Sequence, residues 1–135
     1  MEPAAELRSK IGDRSARLGV IGLGSVGLPL ALEMARAGFH VTGLDSDRAR
    51  VASLNAGVSY VRDVPSALLR AVLAAGQLRA TEALGVLAAL DTVSICVPTP
   101  LRKTRDPDLS CVVAAAEGVR TQLHPGQLII LESTT

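Results

Sequence analysis

The sequence predicts an α/β chain whose sheet is parallel and wound by helices on both faces. Three observations lead there. Apolar runs of strand length recur at residues 18–23, 40–44, 78–81, 91–97 and 127–131, and helix-like segments separate them. Glycine or proline punctuates the junctions, as at Gly38, Pro65, Gly76, Pro98 and Pro125-Gly126. The β-branched run at 91–97 (DTVSICV), ended by Pro98, has the pattern of a buried parallel strand. Strands joined through intervening helices run parallel, because each crossover returns the chain in its original direction.

Each element follows from local residues. Residues 1–15 are polar, with Leu7 and Ile11 spaced i, i+4, which suits a short helix against the domain or a frayed leader. A single domain is expected from residue 16 to 135. Its first strand begins at Leu18, and a helix runs to about Ala37, where Gly38 closes it. Pro29 falls in the first helical turn, where a missing N–H costs little. After the second strand, Ser46 or Asp47 caps a helix whose buried side carries Val51 and Leu54. Residues 57–63 form a loop. Pro65 opens an Ala/Leu-rich helix to about Ala75, and residues 82–89 read as a further helix. A last helix covers 110–122, capped by Asp108 or Ser110, and Leu128 to Leu131 would be an exposed apolar strand unless something covers it.

One stretch carries chemistry. Between the first strand and its helix stands Gly22-x-Gly24-x-x-Gly27, and Asp45 ends the second strand 18 residues further on. Gly22 serves the tight turn, Gly24 lets backbone approach a pyrophosphate, and Gly27 lets helix pack on strand. The helix's unpaired N–H groups and positive dipole end then face the phosphates. A carboxylate at Asp45 would accept hydrogen bonds from the adenosine ribose and repel a 2′-phosphate, which favours NAD over NADP. Glycine-rich turns are common, but here strand, helix, second strand and acid are all in place around the motif. The fold is thus a Rossmann-like doubly wound sheet. Arg50, five residues past Asp45, reads either as a solvated helix charge or as a contact for the adenosine side.

Other candidates are weaker. Pro98-Thr99-Pro100 makes a rigid turn at a strand's carboxyl end, where ligands of such sheets bind, so Thr99 lies near any cofactor. Arg102, Lys103 and Arg105 form a basic loop, solvated or open to an anionic substrate. Cys96 reads as a buried small hydrophobe, and Cys111, in a helix's first turn with no histidine near, as structural.

Composition excludes several classes. Net charge is +1, and acids and bases are mixed, so there is no footprint for nucleic acid. Phe39 and Tyr60 are the only aromatics, too few for base stacking. Two cysteines give neither a metal spacing nor a disulfide framework, which suits a reducing cytoplasm. The uncharged stretch 18–32 is shorter than the roughly 20 residues of a spanning helix and is broken by glycines.

At a set of ordered motifs the chain resembles the UDP-glucose/GDP-mannose dehydrogenases, the nucleotide-sugar 6-dehydrogenases. They are GVIGLGSVGLPLA (19–31), GLDSDRARV (43–51), NAGVSYVRDV (55–64), CVPTPL (96–101), DPDLS (106–110) and PGQLIILESTT (125–135). The CVPTPL and ESTT forms look most like the branch acting on UDP-N-acetylhexosamines, UDP-N-acetylglucosamine 6-dehydrogenases among them. The resemblance implies a cytoplasmic, homo-oligomeric parent enzyme of polysaccharide biosynthesis. Such enzymes oxidise a sugar C6 alcohol to the uronate with two NAD⁺ through a cysteine-bound thiohemiacetal. It implies that Ser25 and Val26 meet the pyrophosphate, that Asp45 and Arg50 hold the ribose, and that Thr99 contacts the cofactor. Thr134 would sit near the nicotinamide and place the catalytic water, with Glu132 and Ser133 on the same edge.

The sequence departs from that family's usual residues at Ser25 and Cys111, where it has tyrosine, and at Val58, where it has glutamate. Neither cysteine occupies the nucleophile's place, so the expectation is an N-terminal NAD-binding portion, cut or naturally truncated, that is inactive alone. The alternatives are a stand-alone NAD-binding regulatory module and a remnant that binds nothing.

Overall fold

The computed structural model describes residues 2–132. Five strands form one parallel sheet: β1 (Arg17–Ile21), β2 (His40–Leu44), β3 (Leu78–Thr81), β4 (Thr92–Ile95) and β5 (Leu128–Leu131). Their order is β3-β2-β1-β4-β5, with β1 registered on β2 from Arg17↔His40 and on β4 from Leu18↔Thr92. The chain steps outward from β1 to β3, then returns to the other side of β1. That reversal puts the carboxyl ends of β1 and β4 side by side, the place where open α/β sheets bind ligands.

Strand residues point alternately to the two faces, and each face has its own core. On one, Leu18, Val20, Val41 and Leu78 pack under the helices α2 (Gly27–Arg36), α3 (Arg48–Asn55) and α4 (Ser66–Ala74), through Leu28, Ala31, Leu54 and Leu69. On the other, Ile21, Leu44, Val93 and Ile95 pack against Leu87, Leu90 and the helix α5 (Ser110–Gln122). With two aromatics available, small aliphatic side chains fill both layers.

The N-terminal stretch is helical (α1, Pro3–Asp13) but buries no residue. It is tied down by polar contacts. Asp91 accepts from Lys10 Nζ at 3.1 Å and from the Arg17 backbone N–H at 2.7 Å, and Arg14 Nε donates to the Ala37 carbonyl at 2.7 Å.

Some expectations need correction. Residues 82–89 do not make a full α-helix: Ala83 N–H folds back on the Thr81 hydroxyl, and only a 3-10 helix forms, at Leu84–Ala89. Glu82 instead pairs with Arg48 at 3.1 Å. The first strand stops at Ile21, because Gly22 already turns with a left-handed φ of 92°. The fourth is shorter than 91–97, although Cys96 N–H still donates to Ile21 O at 2.7 Å before Pro98 ends the ladder. Asp47, not Ser46, caps α3, accepting from the amides of Ala49 and Arg50. Leu109 holds the cap position of α5, and Asp108 accepts the Ser110 amide at 2.9 Å. β5 is an edge strand with Leu128 and Leu131 exposed, as expected.

Candidate dinucleotide-binding site

The turn after β1 is fixed by close approach. A Cβ on Gly22 would lie 2.8 Å from the Cys96 carbonyl oxygen, and one on Gly27 would overlap the Gly22 carbonyl oxygen. No side chain could be accommodated at either position without moving backbone. Gly24 differs. Only the Arg50 Nη1 comes near its Cβ position, at 3.7 Å, so this side of the turn is open for a ligand to reach the backbone.

Behind the turn, α2 begins without a capping side chain. Among the described residues no acceptor faces the Ser25, Val26 or Gly27 amide, while Leu28 N–H already turns inward to Gly24 O at 3.1 Å. Ser25 and Val26 are exposed. Unpaired N–H groups and the positive end of the helix dipole therefore meet solvent at the carboxyl edge of the sheet, a setting suited to phosphate.

Asp45 stands beside this turn with its side chain 9% exposed. One carboxylate oxygen accepts the Leu23 amide at 2.9 Å and faces Arg50 Nη1 at 3.5 Å; the other accepts the Asp47 amide at 2.9 Å. Two carboxylate oxygens offer about four acceptor positions, so room remains for sugar hydroxyls. Arg50 keeps 42% of its side chain exposed. It leans back across Asp45 and Asp47 with its guanidinium 5.7 Å from the centre of the Tyr60 ring. These residues fit an adenine dinucleotide: amides and a cradle for the pyrophosphate, a carboxylate for the ribose.

Tyr60 is the member sequence reasoning missed. Its hydroxyl donates to the Leu23 carbonyl at 2.7 Å, within the glycine turn. Burial, helped by the Asp45 charge, pushes its phenol up to about 12, so it remains a donor at neutral pH. Its being one of only two aromatics was the one available signal.

Thr99 lies in the loop leaving β4, half-buried, and Glu132 ends β5 with its amide on the Ile95 carbonyl at 2.9 Å. Burial and then the Glu132 carboxylate push the Cys96 thiol up to about 11, which leaves it an unreactive hydrophobe. Cys111 is exposed. The basic loop folds into a tight excursion closed by a Leu101–Pro107 bridge, with Arg102 facing Asp108 at 3.7 Å. Ser133 and Thr134 lie outside the described residues. Among the described residues no cluster could hold a metal, and no helix is long and apolar enough to cross a membrane. A recess of about 460 Å³ between Arg17, His40 and Arg79 opens at the strands' amino ends, away from this site.

Comparison with known proteins agrees with this geometry. Residues 16–135 match the family model described as the UDP-glucose/GDP-mannose dehydrogenase family, NAD binding domain. The chain is 36% identical over 119 residues to a UDP-N-acetyl-D-mannosamine dehydrogenase of Pyrococcus horikoshii, covering 87% of this chain and 28% of that protein. It is 35% identical over 121 residues to a UDP-N-acetyl-D-glucosamine 6-dehydrogenase of Pseudomonas aeruginosa, covering 90% and 28%. A solved NDP-N-acetyl-D-galactosaminuronic acid dehydrogenase from Methanosarcina mazei superposes with a TM-score of 0.86 at 29% identity, over 100% of this chain and 30% of that one. The chain thus spans little more than a quarter of the length of the curated relatives it matches. It belongs to the UDP-glucose/GDP-mannose dehydrogenase family as an NAD-binding domain.

Proposed function

We propose that this chain presents NAD⁺ for the oxidation of the C6 alcohol of a UDP-sugar, a UDP-N-acetylhexosamine, as the N-terminal part of a nucleotide-sugar 6-dehydrogenase. The observation that carries the reading is the pairing of unpartnered amides at Ser25 to Gly27 with the anchored carboxylate of Asp45. NAD⁺ supplies the hydride acceptor; the protein supplies position and charge. Gly22, Gly24 and Gly27 shape the turn, Ser25 and Val26 amides take the pyrophosphate, and Asp45 takes the ribose hydroxyls with Arg50 beside it. Thr99 and Glu132 border the nicotinamide side, and the family resemblance alone assigns roles to Ser133 and, as the residue that places the water, Thr134. The sugar class rests on relatives named for N-acetylhexosamine substrates. Cys96 is too buried to serve as nucleophile and Cys111 lies in α5, so this chain holds the cofactor and does not turn over sugar by itself.

Calorimetric titration with NAD⁺ and NADP⁺ tests the proposal. Saturable NAD⁺ binding is expected, with NADP⁺ at least about tenfold weaker because Asp45 repels its 2′-phosphate. Asp45→Asn should weaken NAD⁺ and narrow that gap. A folded chain that binds neither dinucleotide sinks the reading and leaves the remnant.

A further inference from the structure

We infer that Tyr60 is a positioning residue for the dinucleotide, holding the phosphate-binding turn and the Arg50 guanidinium in register. The inference rests on the function proposed above. Leu23 lies between Gly22 and Gly24, the two most permissive residues in the turn, and is fully buried. Both of its backbone polar groups are taken by side chains: the N–H by Asp45 at 2.9 Å, the carbonyl by the Tyr60 hydroxyl at 2.7 Å. Tyr60 is the only hydrogen-bond donor to that carbonyl found among the described residues. Without it a buried acceptor is orphaned, and the turn can relieve this by moving.

The other face of the same side chain carries charge. Arg50 sits 5.7 Å over the ring, 3.5 Å from Asp45 and 3.7 Å from the Cβ position of Gly24. The guanidinium is thereby kept at the mouth of the turn, beside the carboxylate meant for the ribose. Tyr60 can impose this because its own segment is stiff. Ser59 Oγ bridges the Val61 amide and carbonyl, and the Ser59 amide donates to Ser66 Oγ at 3.0 Å. Tyr60 and Val61 also pack on the core under α2. A single residue from the loop before α4 therefore sets both the amides that meet phosphate and the charge on the adenosine side.

The test uses the ¹⁵N-labelled chain and Tyr60→Phe, which keeps the ring under Arg50 and removes only the hydroxyl. Without ligand, exchange of the Leu23 amide, which Asp45 protects, should quicken about fivefold or more, the loss expected for one hydrogen bond. NAD⁺ affinity should fall about fivefold while adenosine, held by Asp45 and lacking a pyrophosphate, changes less than about twofold. Tyr60→Leu, which also removes the ring, should weaken NAD⁺ further. Unchanged exchange overturns the inference. So does a parallel loss of NAD⁺ and adenosine with a lowered melting temperature, which would mark a merely structural tyrosine. If the wild-type chain binds no NAD⁺, the proposed function fails, and the exchange measurement alone decides whether Tyr60 holds the turn.

Discussion

Gly27 sits so close to Gly22 that a Cβ on the first would overlap the carbonyl oxygen of the second. The obstacle is backbone, not a side chain that could swing away, so α2 would have to lift off β1. Gly27→Ala should therefore cost about 3 kcal/mol or more, at the upper end of overpacking effects. Gly85→Ala is the matched control: nothing lies within 4 Å of its Cβ position, and a change within about 0.5 kcal/mol is expected. Urea midpoints of the two variants decide. Equal stabilities would mean that the contact relaxes freely.

Asp45 holds structure as well as a prospective ligand, which complicates the obvious variant. Asp45→Ala leaves the buried Leu23 amide and the Asp47 amide without their acceptor. An expected loss of about 2 kcal/mol follows from orphaning such groups. Asp45→Asn keeps an acceptor oxygen and should lose less than half as much. Urea melts in the absence of nucleotide measure both, and similar losses would refute the anchoring role. Binding experiments should accordingly use the asparagine variant.

The glycine turn, the place of Asp45 and the parallel, doubly wound sheet were readable because backbone geometry imposes residue type there: no Cβ fits at Gly27, and β2 ends where an acid is useful; the strand order was not. Tyr60 was not readable. Its partner is a main-chain carbonyl 37 residues away, and no spacing in a sequence encodes a contact set by tertiary folding. The 3-10 helix at Leu84–Ala89 was missed for a related reason. Apolar periodicity does not separate one short helical type from another, and the Thr81 hydroxyl that redirects Ala83 acts through a local turn. The packing of Arg50 on a ring was equally hidden, because that ring comes from a loop ten residues further on.

A half-buried phenol and a buried thiol give the fold an alkaline limit. The Tyr60 phenol moves from 10.0 to about 12 and the Cys96 thiol from 9.0 to about 11, both chiefly through burial. Above about pH 9 the unfolded chain gives up protons that the folded chain keeps. The unfolded state then binds fewer protons, so stability falls as pH rises. It should be intact below about pH 9 and decline between there and about pH 12. Tyr60→Phe removes the tyrosine share, so its decline above about pH 10 should be shallower than the wild type's. Urea midpoints across this range test the sign; a rise, or identical slopes, would contradict it.

The two thiols should behave as opposites. Cys111 is exposed in the first turn of α5, whereas Cys96 is buried beneath the glycine turn with Glu132 nearby. A thiol raised to about 11 is about one part in a thousand thiolate at about pH 8, and the thiolate is the reactive species. One equivalent of a chromogenic aromatic disulfide should therefore react promptly with the folded chain. The second should follow at least about a hundredfold more slowly until denaturant is added. In Cys111→Ser the prompt phase should vanish. Prompt reaction of that variant would show that Cys96 is open to solvent, and that the carboxyl ends of β1 and β4 are less tightly joined than the contact between Gly22 and the Cys96 carbonyl requires.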